Sequence, residues 1–163
     1  MEELKEKKLL FIGGGVGIAP IYPQIKWLHE HGIVVDVIIG ARTRDMLILE
    51  DELRKISNLY VTTDDEGGLV TDVFKNLVVN ENKHYDEVIA IGPMIMMKYA
   101  VETAKSLGIH SVVSLNSLML DGTGMCGACR VTVGGKTRFT CVDGPEFDGE
   151  TVDFDEALRR QAL

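Results

Sequence analysis

Positive charge and long apolar runs are both scarce in this chain of 163 residues. It has 17 lysines and arginines against 25 aspartates and glutamates, a net charge of −8, which argues against nucleic acid or an anionic membrane as a partner. No apolar stretch approaches the roughly 20 residues of a membrane-spanning helix. The mixed charges of residues 1–8 do not fit a signal peptide either. We therefore expect a protein of the reducing cytoplasm.

Cysteine is scarce too, and all of it lies in one glycine-rich region. Cys126, Cys129 and Cys141 follow Asp121 with the spacing D-x4-C-x2-C-x11-C. A plant-type [2Fe–2S] site has the run C-x4-C-x2-C and a distant fourth cysteine, so only the first ligand differs here. A carboxylate is a harder ligand than a thiolate but also binds iron. The pattern predicts a [2Fe–2S] cluster with Asp121, Cys126, Cys129 and Cys141 as ligands.

Two other uses of these cysteines remain open. Zinc is one, because C-x2-C is common in zinc sites and a fourth ligand would complete the set. However, no histidine lies close in sequence, and the second C-x2-C of a zinc ribbon is absent. A disulfide with one spare thiol is the other, and nothing else in the sequence indicates secretion.

Residues 8–113 alternate between short apolar runs and helical periodicities. We predict strands over 8–12, 33–39, 59–63, 87–91 and 110–114, and helices over 20–31, 44–56, 70–79 and 93–107, with Thr71 as an N-cap. This alternation is typical of an α/β protein with a doubly wound parallel sheet.

The pattern changes after residue 114. Two short alternating runs flank Gly134-Gly135, which predicts a β-hairpin that brings Cys141 back towards the other cysteines. We therefore predict two parts, a nucleotide-binding domain over residues 1–114 and a small cluster-binding region over 115–163.

A glycine-rich turn follows the first predicted strand. Its sequence is Gly13-Gly14-Gly15-Val16-Gly17-Ile18-Ala19-Pro20. Glycines at this position let the backbone approach a pyrophosphate, and the helix that follows offers free amide groups. Candidate contacts are Gly13, Gly14, Gly15, Gly17 and Pro20. A tight turn that binds nothing is the alternative.

Other strand ends support a nucleotide site. Arg42 and Arg44 follow the second strand, where the adenosine ribose of a dinucleotide should lie, and they suit a 2′-phosphate or the pyrophosphate. Asp65 follows the third strand, and Gly92-Pro93-Met94 follows the fourth. For the arginines the alternative is a solvated loop, and the methionines of this helix fit a core position as well as a cofactor contact.

These motifs resemble the pyridine-nucleotide module of the ferredoxin–NADP⁺ reductase superfamily. The shared features are a strand followed by GGGxGxAP and a helix, then G-x-R, D-E-G…V-T-D and I-G-P-x-x-M-M. The run D-G-T-G-M-C-G-A-C-R-V is similar to that of the dihydroorotate dehydrogenase B electron-transfer subunits. It is closer to that of the small (alpha) subunits of NADH-dependent ferredoxin:NADP⁺ oxidoreductases, in which one Asp and three Cys hold the cluster.

The resemblance implies an oxidoreductase subunit that relays electrons between NAD(H) or NADP(H), FAD and a larger flavin and iron–sulfur catalytic subunit, with ferredoxin as a further partner. The choice between NAD and NADP stays open. No side chain is expected to act as a catalytic residue. The alternatives are a non-catalytic redox-sensing or nucleotide-binding module and a zinc-stabilised interaction domain.

One feature of the family is missing from the sequence. Members carry an N-terminal FAD-binding barrel domain with an Arg-x-Tyr-Ser/Thr strand motif, and nothing before Leu9 resembles it. We therefore expect a fragment or a natural truncation that does not hold FAD by itself.

Overall fold

A six-stranded sheet forms the centre of the protein in the computed structural model, which describes Leu4 and residues 6–161. The strands in chain order are β1 (Leu9–Gly14), β2 (Asp36–Ala41), β3 (Asn58–Thr63), β4 (Glu87–Ile91), β5 (His110–Ser114), β6 (Arg130–Val133), β7 (Lys136–Phe139) and β8 (Glu146–Asp148). The order across the sheet is β3-β2-β1-β4-β5-β8, and β6 pairs only with β7. Strands β1 to β5 are parallel, whereas β8 is antiparallel to β5. The predicted doubly wound parallel sheet is confirmed.

Six α-helices connect or follow these strands. They are α1 (Ile18–Glu30), α2 (Glu50–Ile56), α3 (Val70–Val79), α4 (Met94–Ser106), α5 (Thr140–Asp143) and α6 (Phe154–Gln161). Short 3₁₀ turns follow β1, β2 and β3 at Gly15–Gly17, Arg44–Met46 and Asp64–Glu66. Among the described helices, none combines the length and the apolar character needed to cross a bilayer.

Both faces of the sheet are covered, which explains the continuous apolar runs of its strands. In β1, Leu9 and Phe11 belong to one buried cluster with Ile21 and Ile25 of α1. The alternate residues Leu10 and Ile12 belong to a second cluster with side chains of α3 and α4. Each fully buried aliphatic side chain stabilises the fold by about 1.5–3 kcal/mol.

The region after β5 packs on the second of these clusters. Val131 of β6 is buried there with Phe154 and Ala157 of α6, in the same cluster as Leu10. The hairpin β6–β7 is therefore mounted on the core of the sheet through its buried face. The division of the chain at residues 114 and 115 stays a prediction.

The predicted helix over 44–56 is wrong in its first half. A 3₁₀ turn at Arg44–Met46 is followed by extended Leu47, and Leu49 has a φ of 57° before α2 begins at Glu50. Leu47 and Leu49 still pack against the first buried cluster, as Leu53 and Ile56 do, so the apolar pattern of this segment reflected burial and not a continuous helix. A left-handed conformation costs a non-glycine residue roughly 1–2 kcal/mol, which sequence periodicity does not reveal.

Three predicted elements have the bounds that the structure gives, namely α3, β4 and β5. Thr71, however, is not the N-cap of α3, because Leu69 occupies that position without a capping side chain. Strand β8 was not predicted, since Glu146-Phe147-Asp148 is too short to show a period and pairs with the distant β5.

One buried carboxylate lies at the amino-terminal edge of the sheet. Asp36 is 8% exposed and accepts hydrogen bonds from Lys83 at 2.6 Å, Tyr85 at 2.6 Å and Asn58 at 2.8 Å. Lys83 also donates to the hydroxyl of Tyr60 at 2.6 Å. Burial raises the pKa of Asp36, but the three hydrogen bonds outweigh it and hold the pKa below 3.8. The network joins β2, β3 and the segment before β4.

Candidate metal centre and nucleotide site

Both predicted sites lie at the carboxyl-terminal edge of the parallel strands. The glycine turn follows β1, and residues 116–129, here called the cluster loop, come after β5. Strands β1 and β4 are neighbours from which the strand order proceeds in opposite directions. Ligands of open α/β sheets bind outside the carboxyl ends of the strands at such a switch point. The topology therefore brings two sites with different chemistry to one edge.

Three glycines bend the cluster loop. Gly122, Gly124 and Gly127 have φ values of 71°, 82° and 66°, a region that glycine adopts without steric cost. A Cβ atom on Gly122 would meet nothing within 4 Å, whereas one on Gly124 would lie 2.9 Å from Cγ2 of Val142. The loop thus requires glycine at these positions mainly for backbone conformation.

Cys129 and Cys141 lie side by side. Cys129 is 2% exposed and precedes β6, while Cys141 is half-buried in α5, and their Sγ atoms are 3.3 Å apart. The amide of Thr140 donates to the Cys129 carbonyl at 3.2 Å, and its hydroxyl donates to the same oxygen at 3.0 Å. The hydrogen bond with Cys129 and burial raise the pKa of the Cys141 thiol, against a smaller lowering by the backbone of Gly124. Metal binding would displace these protons, because the thiolate is the ligand.

Asp121 lies within the cluster loop and accepts two backbone hydrogen bonds from it. Its Oδ1 accepts a hydrogen bond from the Thr123 amide at 2.9 Å, and its Oδ2 accepts one from the Cys126 amide at 2.8 Å. The hydrogen bond from the Thr123 amide has the largest effect on the pKa of Asp121 and lowers it; burial opposes this, and the hydrogen bond from the Cys126 amide lowers the pKa further. The carboxylate is therefore ionised at neutral pH and lies directly beside the backbone of Cys126.

Two of the four predicted ligands lie at nearly the separation that two ligands of one metal require. Two thiolates bound to one tetrahedral metal at about 2.3 Å lie about 3.8 Å apart, close to the 3.3 Å between Cys129 and Cys141. Cys126 is exposed, and its Sγ accepts a hydrogen bond from the Ala128 amide at 3.5 Å. Within the described residues, no three His, Cys, Asp or Glu side chains converge on one point as a mononuclear site requires. Cys129 and Cys141 form one pair of donor atoms, and the carboxylate of Asp121 lies beside the backbone amide of Cys126.

Two features around the cluster loop were not predicted from the sequence. Arg160 of α6 donates to the Ala128 carbonyl at 3.3 Å, a contact that no local motif signals. Large apolar side chains are also exposed around the ligands, at Leu118, Met119, Leu120, Met125 and Val142. The run Leu118-Met119-Leu120 directly before Asp121 was the available signal for an apolar rim.

The glycine turn after β1 is packed closely against β4. A Cβ atom on Gly17 would lie 2.4 Å from the Ile91 carbonyl oxygen and 2.7 Å from the Cα atom of Gly92. Gly17 therefore lets the start of α1 approach the end of β4. Gly15 differs, because its φ is 54° and a Cβ atom there would meet nothing within 4 Å.

Other predicted contacts surround the same crevice. A Cβ atom on Gly14 would lie 2.3 Å from Sδ of Met96, and one on Gly92 would lie 2.8 Å from Cε of the same residue. Met96 thus covers the two glycines that flank the switch point. Met94, in contrast, is 3% exposed and belongs to the buried cluster that contains Leu10, so its side chain is a core residue and not a ligand contact. Pro20, in the first turn of α1, and Pro93, just before α4, are exposed.

The two predicted arginines have different surroundings. The side chain of Arg44 is 3.3 Å from Glu50, which also binds Arg54 at 2.7 Å. Arg42 is exposed, and its carbonyl accepts a hydrogen bond from the amide of Asp65 at 3.1 Å. Asp64, Asp65 and Glu66 form an acidic turn at the end of β3. Two carboxylate sources therefore lie beside the position where sequence analysis expected a 2′-phosphate.

Comparison with known proteins agrees with this arrangement. Residues 116–153 match the family model of the iron–sulfur cluster binding domain of dihydroorotate dehydrogenase B. The chain is 50% identical to a dihydroorotate dehydrogenase B (NAD(+)) electron transfer subunit homolog of Thermotoga maritima, over 94% of this chain and 55% of that protein. A probable subunit of the same name from Methanocaldococcus jannaschii is 37% identical over 90% of this chain and 57% of its own length.

A solved structure gives the same result. A chain of the NADH-dependent reduced ferredoxin–NADP oxidoreductase, described for flavin-based electron bifurcation, superposes with a TM-score of 0.86 at 48% identity. The alignment covers 97% of this chain and 58% of that one. Our chain thus spans little more than half the length of these relatives.

The relatives are named as electron transfer subunits or oxidoreductases, and the fold and the cluster motif of this chain agree with that class of protein. Within that class, the chain belongs to the family of the dihydroorotate dehydrogenase B electron transfer subunits and the similar subunit of NADH-dependent reduced ferredoxin–NADP oxidoreductase. The resemblance stated from the sequence is confirmed.

Proposed function

We propose that Asp121, Cys126, Cys129 and Cys141 hold a [2Fe–2S] cluster and that the chain relays electrons through it. The 3.3 Å separation of the Cys129 and Cys141 sulfurs carries this proposal, because it is close to the spacing of two ligands of one metal. Asp121 and Cys126, joined by a hydrogen bond of 2.8 Å, would hold the other iron. The loop glycines give the backbone the curvature that this requires.

We further propose that a pyridine nucleotide binds at the switch point between β1 and β4. The backbone of Gly13 to Gly17 and the start of α1 would bind its pyrophosphate. Gly92, Pro93 and the backbone of Met94 would face it from the end of β4. NAD(H) is favoured over NADP(H), because Glu50 already engages Arg44 and the acidic turn after β3 would repel a 2′-phosphate.

In the complete enzyme, we expect FAD on a barrel domain, a larger catalytic subunit as electron partner and ferredoxin as a further partner, all in the cytoplasm. When bound, the nicotinamide supplies hydride chemistry and the cluster supplies one-electron transfer. The contribution of this chain is to hold the two groups at one edge of a rigid sheet. The exposed apolar rim of the cluster loop suits contact with another protein surface.

Anaerobic reconstitution tests the metal site. Protein supplied with iron and sulfide should bind about two irons and two acid-labile sulfides per chain. Cys126→Ser, Cys129→Ser and Cys141→Ser should each lose most of this iron, while Met125→Ser, in the same loop, should retain it. Stoichiometric zinc without labile sulfide in freshly purified anaerobic protein would show that the proposal is wrong.

Asp121 is tested separately. Asp121→Cys should keep the cluster with a changed electron paramagnetic resonance spectrum and reduction potential, because a thiolate is a softer ligand than a carboxylate and donates more electron density to iron. Asp121→Ala should lose iron more readily than the control Asp45→Ala, which changes an exposed aspartate outside the loop. Identical spectra for the wild type, Asp121→Ala and Asp121→Cys would exclude Asp121 as a ligand.

A further inference from the structure

The β6–β7 hairpin brings Cys129 and Cys141 together through its strand register and through Thr140. In its register Arg130 pairs with Phe139, so Cys129 immediately precedes the paired strands and Cys141 follows them by two residues. Thr140, the residue between Phe139 and Cys141, donates both its amide and its hydroxyl to the Cys129 carbonyl. Because none of these contacts involves a metal, the two sulfurs remain neighbours when the loop is empty.

We propose that Cys129 and Cys141 are an oxidative modification site, which forms a disulfide with hydrogen peroxide as oxidant whenever the loop holds no cluster. The inference rests on the proposed function in one respect, since a bound cluster would occupy both sulfurs and protect them. The disulfide would remove two of the four ligands. Iron uptake would then depend on prior reduction of the protein.

Spatial distance between sulfur atoms, and not separation in sequence, decides which cysteine forms the disulfide with Cys129. The Sγ atoms of Cys129 and Cys141 must close by about 1.3 Å, from 3.3 Å to the roughly 2.05 Å of a disulfide. Cys126 is only three residues from Cys129, but its sulfur faces the Ala128 amide and is exposed. Cys126 is therefore the thiol that remains after oxidation.

The difference in exposure suggests the order of the two steps. Within this pair, Cys141 is half-buried whereas Cys129 is 2% exposed, so peroxide reaches Cys141 before Cys129. The Cys141 thiolate attacks one peroxide oxygen, the O–O bond breaks, and a sulfenic acid and one water are formed after protonation. The Cys129 sulfur then attacks the Cys141 sulfur, the S–S bond forms, the S–O bond breaks, and the second water leaves. Two thiols are oxidised by two electrons in total, and one peroxide is reduced to two waters.

Peptide mapping of metal-free protein tests the pairing. The full chain, stripped with a chelator and freed of reductant, is treated with one equivalent of hydrogen peroxide and then alkylated. We expect two of the three thiols to be lost, a peptide linked through Cys129 and Cys141, and alkylation at Cys126 alone. A link between Cys126 and Cys129, or three alkylated cysteines, would overturn the proposal.

Variants separate this pairing from general oxidation of the loop. Cys126→Ser should still form the linked peptide, and so should the neighbouring control Met125→Ser. Cys141→Ser should form no intramolecular link. A Cys141→Ser protein that oxidises to a Cys126–Cys129 disulfide as fast as the wild type oxidises would show that hairpin geometry does not select the pair.

Iron uptake then distinguishes the two proposals. Oxidised wild-type protein should take up iron at least tenfold less than reduced protein, and dithiothreitol should restore uptake by thiol–disulfide exchange. If the link forms but reduced protein takes up no iron, the proposed cluster fails while the modification site stands. If reduced protein takes up iron but no link forms, the modification site alone fails.

Discussion

The glycine turn after β1 and the cluster loop both depend on glycine, but for opposite reasons. Gly17 has an ordinary φ of −64°, and a side chain there would collide with the backbone of Ile91 and Gly92. Gly122 has a φ of 71°, and a side chain there would meet open space. The turn needs glycine for close packing, whereas the loop needs it for conformation. Substitution in the turn should therefore damage the whole sheet, while substitution in the loop should damage the metal site alone.

Gly17→Ala should have the largest effect on stability. Its Cβ atom would press on backbone atoms that cannot rotate away, and overpacking of this kind costs up to about 3 kcal/mol. Gly15→Ala, two residues earlier, meets no atoms and should cost roughly 1–2 kcal/mol for its left-handed backbone. Urea unfolding followed by circular dichroism measures both. Equal losses for the two variants would remove the distinction between the two roles of glycine.

Low pH should also affect the stability contributions of the sheet and of the cluster loop differently. Asp36 and Asp121 both have lowered pKa values, but only Asp36 lies in the core. Because the pKa of Asp36 in the folded protein lies below 3.8, its contribution to the free energy of unfolding is fully present well above pH 3.8 and is lost as pH falls through the folded pKa. Asp36→Asn should lose about 2 kcal/mol at pH 7 and less at low pH.

The measurement is the urea midpoint from pH 7 down to pH 3. Asp121→Asn should keep the global midpoint of the wild type over this range, because it perturbs only the exposed loop. The contrast between sheet and loop breaks down if Asp121→Asn lowers the midpoint as much as Asp36→Asn does.

Gly122→Ala should affect metal binding and leave the sheet unchanged. The left-handed conformation costs alanine roughly 1–2 kcal/mol, which corresponds to about a tenfold loss of iron affinity if the loop must keep that shape. Gly135→Ala is the matched control, since Gly135 has a φ of 73° and equal open space but lies in the hairpin turn. Competition with an iron chelator gives the affinities. Equal weakening by both variants would mean that general hairpin strain, and not loop shape, controls the site.

The smallest expected effect concerns the preference between NADH and NADPH at Arg44, in the turn after β2. Glu50→Gln would release Arg44 from its ion pair, and the dissociation constant for NADPH should fall about threefold, the scale of an exposed charge pair. NADH binding should not change. Glu52→Gln, an exposed acid on the same helix, is the control. Calorimetric titrations in which both nucleotides respond equally to Glu50→Gln would exclude Arg44 as a selecting residue.

The sheet was the most predictable part of the molecule. Strands such as Glu87–Ile91 are buried on both faces and bounded by turns, so a short apolar run identifies them. The start of α2 was not predictable, because Leu49, Leu53 and Ile56 are spaced as in a helix although the backbone of Leu49 is left-handed. Burial produces the same spacing whether or not the backbone is helical.

For the candidate site, spacing predicted the residues but not their relations. The sequence places Cys126 nearest to Cys129, yet the hairpin register makes Cys141 its neighbour in space. Likewise, Arg42 and Arg44 suggested a site for a 2′-phosphate. The sequence does not show that Glu50, six residues beyond Arg44, forms an ion pair with Arg44. Contacts made through tertiary folding decide both questions.

Strand β8 has a consequence for how the protein remains unaggregated. An open parallel sheet ends in a row of unpaired amides and carbonyls that another chain can adopt as a template. Here the free side of β5 is covered by three residues of the same chain, two of which, Glu146 and Asp148, are acidic and exposed. Because this edge strand is short and charged, it is a poor template for pairing with a strand of another molecule. Self-association by strand addition is thereby discouraged at this edge, while the apolar rim of the cluster loop stays open.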